Sequence, residues 1–132
     1  MDESYRTAAV VLVGNEILSG RVADANGPYA ISALRELGVG LRAIHVVSDD
    51  VEQIGAVVAM EAGVCDFVFT SGGVGPTHDD VTLAGVGRAF DVPLVLNAEL
   101  EEHIVAHIPT GEVIAQAWRK MAKVPEGCAL VY

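Results

Sequence analysis

Positive charge and aromatic rings are what this chain has least of. Eight Lys and Arg stand against eighteen Asp and Glu, a net charge of −10. That balance excludes the basic footprint which general nucleic-acid binding requires. It leaves small anionic ligands open, because backbone amides can hold those locally. Only 5% of the residues are aromatic, and no loop reads as an aromatic platform for a flavin. No apolar run is long enough to span a bilayer. The opening stretch MDESYRTAAVVLVG has no basic segment ahead of its apolar part, so it does not read as a signal peptide. Cysteine is scarce too. Cys65 and Cys128 each lie in an apolar run, no metal-ligand spacing connects them, and both are predicted to be buried free thiols. The composition therefore predicts a soluble, cytoplasmic protein.

Aliphatic residues are abundant. Apolar residues make up 52% of the 132 positions and charged ones 20%, enough for one packed domain and unlike a disordered chain. No repeat, linker or low-complexity segment divides it. TAAVVLVG reads as a strand buried on both faces. GPYAISALRELG follows as a helix, with Pro28 in its first turn and Gly38 as its stop. VGLRAIHVV is a second strand, SDDVEQIGAVVAMEAG a second helix with an acidic start, and CDFVFT a third strand. DVTLAGVGRAF is a short helix weakened by its glycines. VPLVL is a short extended piece. AELEEHIVAHI and EVIAQAWRKMA are two further helices broken at PTG, and CALVY looks like a last strand. Strand and helix in alternation predict a three-layer α/β sandwich with a mostly parallel sheet. Because the chain stops inside an apolar run at Tyr132, the single domain over 1–132 is expected to be incomplete at its C-terminus.

The densest loop chemistry is TSGGVGPTHDDVT, Thr70 to Thr82, directly after the third strand and before a helix. In an open parallel sheet, ligands bind beyond the carboxyl ends of the strands. Gly72, Gly73 and Gly75 can let the backbone approach a ligand closely, and the loop and helix amides together suit a phosphate. Thr70, Ser71 and Thr77 add hydroxyls. Asp79 and Asp80 repel phosphate unless a cation mediates, and a magnesium ion held by one or two carboxylates and phosphate oxygens resolves that conflict. The plainer alternative makes one of these aspartates the cap of the following helix. The other strand ends are polar as well. The first delivers GNEILSGRVADAN, with Gly14, Asn15, Glu16, Asp24 and Asn26, and the second delivers Ser48, Asp49 and Asp50. Parallel strands place these carboxylates on one edge, where Asp24, Asp49 and Asp80 become candidate metal ligands. Capping by Asp49 or Asp50 and a solvated loop at Asp24 are the competing readings.

GNEILSGRVADAN, VSDDVEQI and TSGGVGPTHDDVT together resemble the molybdopterin-binding domain family, which includes the MoaB and Mog proteins, the third domain of MoeA and the N-terminal domain of CinA. GNEILSG and GPTHDDVT make the CinA branch the nearer likeness, and the match runs from about Thr7 to the chain end. The resemblance implies the three-layer fold. It implies that Gly72, Gly73, Val74 and Gly75 line a phosphate or pterin-phosphate pocket, and that Asp80 and Asp49 are the functional aspartates. Glu16, Asp24 and Asn26 match polar positions near the same pocket. It further implies chemistry at an adenylate phosphoanhydride with a divalent cation such as Mg2+. In the CinA branch this is hydrolysis of ADP-ribose or a related dinucleotide; in the Mog branch it is adenylylation of molybdopterin. Self-association as a dimer or trimer is implied too. The family continues past its last strand into an Asn-Pro-x-Gly loop bordering the pocket, and CinA carries a further amidohydrolase domain; neither is present in these 132 residues.

Three function classes follow: a metal-dependent pyrophosphatase or nucleotidyltransferase, a module that binds a pterin or nucleotide without turnover, and a redox-cofactor domain. The last is disfavoured, since Gly14 is followed by Asn15 and Glu16 rather than by G-x-G-x-x-G. His103 and His107 share a helix face but have no third zinc ligand in view, so they read as solvated. His78 is expected to face solvent from the loop, His45 to be a core or edge residue of its strand, and Trp118 to pack with Ile114 and Met121.

Overall fold

The computed structural model describes residues 5–108 and 115–132. Its core is a three-stranded sheet of order β2-β1-β3, in which β2 (Gly40–Val47) and β3 (Phe67–Ser71) both run parallel to β1 (Thr7–Val13). The sequence TAAVVLV can occupy the centre because it is apolar on both faces, and Ala8 to Val13 are all buried. Strand alternation divides those residues between two layers. Val11 and Val13 pack with Val47, and with Ile54 and Val58 of α3 (Val51–Ala62). Ala8, Val10 and Leu12 pack with Leu34 of α2 (Asn26–Glu36) on the opposite face. The three-layer α/β sandwich expected from the sequence is thus present, with the central strand holding both cores together.

The first layer is completed by α4 (Thr82–Phe90), whose Gly85 and Gly87 are buried. They weaken the helix intrinsically but let it lie close to α3: a Cβ on Gly85 would stand 2.4 Å from Ile54 Cγ2. A four-residue helix, α1 (Asn15–Leu18), follows β1 and was not legible as an element. Beyond α4 come β4 (Leu94–Leu96), α5 (Ala98–Ala106), α6 (Ala115–Met121) and β5 (Lys123–Pro125). The start of the last predicted helix, with Ile114, lies outside the described residues.

The end of the chain corrects the sequence reading. CALVY is not a strand; β5 lies before it, antiparallel to β4, with Val95 opposite Val124. A turn ends that strand, with Gly127 at φ 90° and the Cys128 amide donating to the Pro125 carbonyl at 3.2 Å. Val131 and Tyr132 are consequently exposed. Cys128 is exposed rather than buried for the same reason, while Cys65 is half-buried.

Candidate functional site

Parallel strands bring three chain ends to one edge of the sheet, and side chains then tie those ends together. The Gly14 amide donates to the Val47 carbonyl at 3.0 Å, joining the ends of β1 and β2. Asn15 and Asp49 bond reciprocally: the Asn15 amide donates to Asp49 Oδ2 at 3.1 Å, and the Asp49 amide to Asn15 Oδ1 at 3.3 Å. Asn26 Nδ2 donates to Ser71 Oγ at 2.7 Å, fastening the first turn of α2 to the end of β3. Asp50 is the cap of α3, accepting from the Gln53 amide at 2.8 Å. That leaves Asp49 in a cross-strand role. Asp24 accepts from the Asn26 and Gly27 amides, each at 2.9 Å, and so opens α2 rather than standing in a solvated loop. Glu16 folds back toward Gly14, where a Cβ would meet its carboxylate at 2.5 Å.

The glycine loop leaves β3 and turns against β1. Gly72 and Gly73 adopt φ of 90° and 65°, a region other residues rarely occupy. A Cβ on Gly72 would stand 2.2 Å from the Val13 carbonyl oxygen, and one on Gly73 2.2 Å from Thr82 Oγ1. Thr82 is fully buried; its hydroxyl donates to the Gly72 carbonyl at 2.7 Å and its amide to the Gly73 carbonyl at 3.0 Å. Packing alone therefore requires these two glycines, a reason the sequence reading assigned to ligand approach. Thr82 itself was missed. Its only sequence signal is a threonine opening an apolar helix.

Asp80 does not cap α4. Val81 holds the cap position without a side-chain bond. Asp80 Oδ2 instead accepts from the Thr77 amide at 3.0 Å and the Thr77 hydroxyl at 2.6 Å, closing the second half of the loop. The Thr77 hydroxyl bond is the main reason its carboxyl sits below the ordinary aspartate value, with burial opposing and nearby Lys120 assisting. The side chain is a positioned, ionised group at the loop.

A cavity of about 280 Å³ opens beside this loop, bounded by Gly73, Gly75, Asp80, Leu83, Lys120 and Lys123, among others. Thr70, Ser71 and Asn26 border a second hollow of about 390 Å³ on the other side of β3, against α2. Val74 is exposed at the mouth of the first cavity. The two lysines are the only lysines of the chain, and sequence reasoning passed over them. Their signal was present: Arg119, Lys120 and Lys123 are three of eight basic residues, gathered in WRKMAK. Lys120 Nζ donates to the Thr77 carbonyl.

The predicted positions thus fall into two groups. Gly72, Gly73, Val74, Gly75, Thr77 and Asp80 form the loop, while Gly14, Asn15, Asp49, Asn26 and Ser71 form the braced strand ends. Asp24, Asp49 and Asp80 each serve separate hydrogen bonds, and among the described residues no three His, Cys, Asp or Glu side chains gather to hold a metal ion. A divalent cation caged by those three carboxylates does not fit this arrangement. His78 is exposed and pairs with Asp79 at 3.2 Å. His103 and His107 lie on an exposed face with ring centroids 4.7 Å apart. His45, on β2, pairs with buried Glu61 at 2.6 Å.

The pattern of loop, braced strand ends and sandwich coincides with a known family. A family model described as "Probable molybdopterin binding domain" matches residues 9–126. The chain belongs to this molybdopterin-binding domain family. It is similar to a CinA-like protein from Mycobacterium leprae, 41% identical over 131 residues that cover 91% of this chain and 30% of the relative. A protein named "Probable FAD synthase" from Caenorhabditis elegans is 40% identical over 105 residues, covering 80% of this chain and 20% of the relative. A crystal structure of CinA from Thermoplasma acidophilum, a protein of unknown function, superposes with a TM-score of 0.87 at 34% identity, covering 95% of this chain and 73% of that one. This domain therefore spans well under half the length of the two curated relatives.

Proposed function

We propose that this domain binds a phosphorylated pterin or an adenine dinucleotide at the loop Ser71–Thr77 and acts on its phosphoanhydride, as a pyrophosphatase on ADP-ribose, FAD or a related molecule. The observation that carries this reading is the loop's place at the carboxyl edge of a parallel sheet, beside a cavity lined by Lys120 and Lys123. The family supports a pterin ligand, and the relative named "Probable FAD synthase" supports an adenine dinucleotide.

In this reading the loop holds the non-reacting phosphate. Asp49, with one oxygen on the Asn15 amide, orients a water molecule in line with the phosphoanhydride. Attack of the water oxygen on phosphorus breaks the bridging P–O bond, and the proton of water passes to solvent or to the leaving phosphate. Asp80 acts by holding Thr77 and hence the loop. A divalent cation, if used, arrives on the ligand's own phosphates, since among the described residues no three His, Cys, Asp or Glu side chains gather to hold one. The unpaired thiols Cys65 and Cys128 suit a reducing, cytoplasmic setting.

A second reading, transfer of adenylate to molybdopterin, is supported by the family's molybdopterin description. The test is a panel of ADP-ribose, FAD, and ATP with molybdopterin, each with and without Mg2+, read by phosphate-bond cleavage. Turnover of a dinucleotide, reduced about 100-fold by Asp49→Ala (about 3 kcal/mol), is the expected result. Adenylylated molybdopterin as the sole product would replace the first reading with the second. Binding with no product would leave a binding module.

A further inference from the structure

The only two cysteines of this chain lie far apart in sequence, yet both line one hollow of about 330 Å³. β3, α3, α4 and β5 all contribute to it, through Val68, Val58, Phe90 and Pro125. The two thiols reach it from different surroundings. Cys65 is half-buried, and its Sγ donates to Glu61 Oε2 at 3.6 Å. Glu61 is fixed in turn by His45, whose Nε2 lies 2.6 Å from Oε1, so the Cys65 side chain is held in one place. Burial, with Glu61 alongside, raises its pKa and keeps it a thiol. Cys128 is exposed, on the turn that follows β5, with Gly127 before it at φ 90°. It belongs to no helix or strand.

We infer that Cys65 and Cys128 form a reversible disulfide across this hollow, with a low-molecular-weight disulfide such as oxidised glutathione as the oxidant. The inference is independent of the ligand site at the glycine loop. Exposure makes Cys128 the thiol that an oxidant meets first. Its thiolate attacks one sulfur of oxidised glutathione, the glutathione S–S bond breaks, and one glutathione leaves. The Cys65 thiolate then attacks the Cys128 sulfur of the mixed disulfide and expels the second glutathione. Each released glutathione takes up the proton lost by the thiol that displaced it. Two protein thiols are thereby oxidised, and one glutathione disulfide is reduced to two glutathiones. A disulfide joins Cα atoms about 4–7 Å apart. The turn carrying Cys128 lies outside the sheet and supplies the approach, while Cys65 stays beside the start of β3. The bond fastens the segment from Cys128 to Tyr132 beside β3, whose outer edge no described strand covers. Free thiols are the resting state in a reducing compartment, and the link forms on oxidation.

The experiment equilibrates the chain with mixtures of reduced and oxidised glutathione, quenches with acid and maps the products by peptide mass spectrometry. The expected product is a single chain lighter by two hydrogens, with Cys65 joined to Cys128 and reopened by dithiothreitol. The effective concentration of Cys65 toward Cys128 should be at least about tenfold higher in native buffer than in urea, because the fold seats both thiols at one hollow. Cys65→Ser should instead accumulate glutathione on Cys128. Its melting temperature checks folding, and the comparison of native buffer with urea decides the matter on the unaltered chain without it. A mixed disulfide that persists on Cys128 while Cys65 stays free overturns the inference. So does a product that links Cys128 to Cys128 between two chains, or an effective concentration no higher in native buffer than in urea.

Discussion

Thr77 is held to Asp80 twice, through its amide at 3.0 Å and its hydroxyl at 2.6 Å, both on Oδ2. The pair closes the glycine loop from within. On the proposed function, Asp80 acts on a ligand through the loop's shape and charge, and its neighbour Lys120 reaches the same turn from α6. Asp80→Ala is expected to lower stability by about 1 kcal/mol, since the freed Thr77 groups are exposed and return to water. Ligand affinity should fall further than that figure alone implies, because the loop loses its closing bonds. Comparing melting temperature with nucleotide affinity separates the two effects, and unchanged affinity would remove Asp80 from the site.

Gly73→Ala should destabilise the whole domain by at least about 1–3 kcal/mol. The new Cβ would stand 2.2 Å from Thr82 Oγ1 in a backbone conformation unfavourable for alanine. Denaturant unfolding measures it, and near-normal stability would show that the loop relaxes freely.

Glu61 is buried, and its hydrogen bond to His45 is the main cause of a carboxyl pKa below the ordinary value of 4.5. A depressed folded-state pKa stabilises the protein above the ordinary value, and that stability is lost as pH falls through the lowered one. Acid unfolding should therefore set in below about pH 4.5. His45→Ala should cost about 1–3 kcal/mol at neutral pH by leaving the Glu61 carboxylate without its partner. Melting curves between pH 3 and pH 7, about a unit apart, test both claims.

The two thiols should differ in reactivity. Burial, with Glu61 alongside, pushes the Cys65 thiol up, whereas Cys128 is exposed. Alkylation at neutral pH should label Cys128 first, as peptide mass spectrometry would show. Preferential labelling of Cys65 would contradict the packing of β3 against α3.

A dimer or trimer is expected in solution. Phe67 and Phe69 stack with centroids 6.1 Å apart on β3, yet are 44% and 46% exposed. No described strand pairs with the outer edge of β3. Sedimentation of the unaltered chain and of the Phe67→Ser, Phe69→Ser variant should show association lost in the variant. A monomer at high concentration in the unaltered chain would end this expectation.

Periodicity and composition sufficed for much of this protein. TAAVVLV read as a strand buried on both faces, and such a strand needs a helix layer on each side. The order of strand and helix then dictated a parallel sheet and put Gly14, Asp49 and the glycine loop at one edge. The short α1 and β5 escaped because elements of three or four residues carry no period. CALVY misled because an apolar run does not reveal that a turn at Gly127 withholds it from a strand partner. The sequence singled out the aspartates by residue type, but their roles depended on which donors folding placed within hydrogen-bonding distance. Asp50 caps, Asp49 bonds Asn15, Asp24 opens α2 and Asp80 closes the loop. Tertiary structure alone brought Lys120 and Lys123 to the loop from more than forty positions away. A contact between segments so distant in the chain is decided by packing of α6 and β5, which no local pattern encodes.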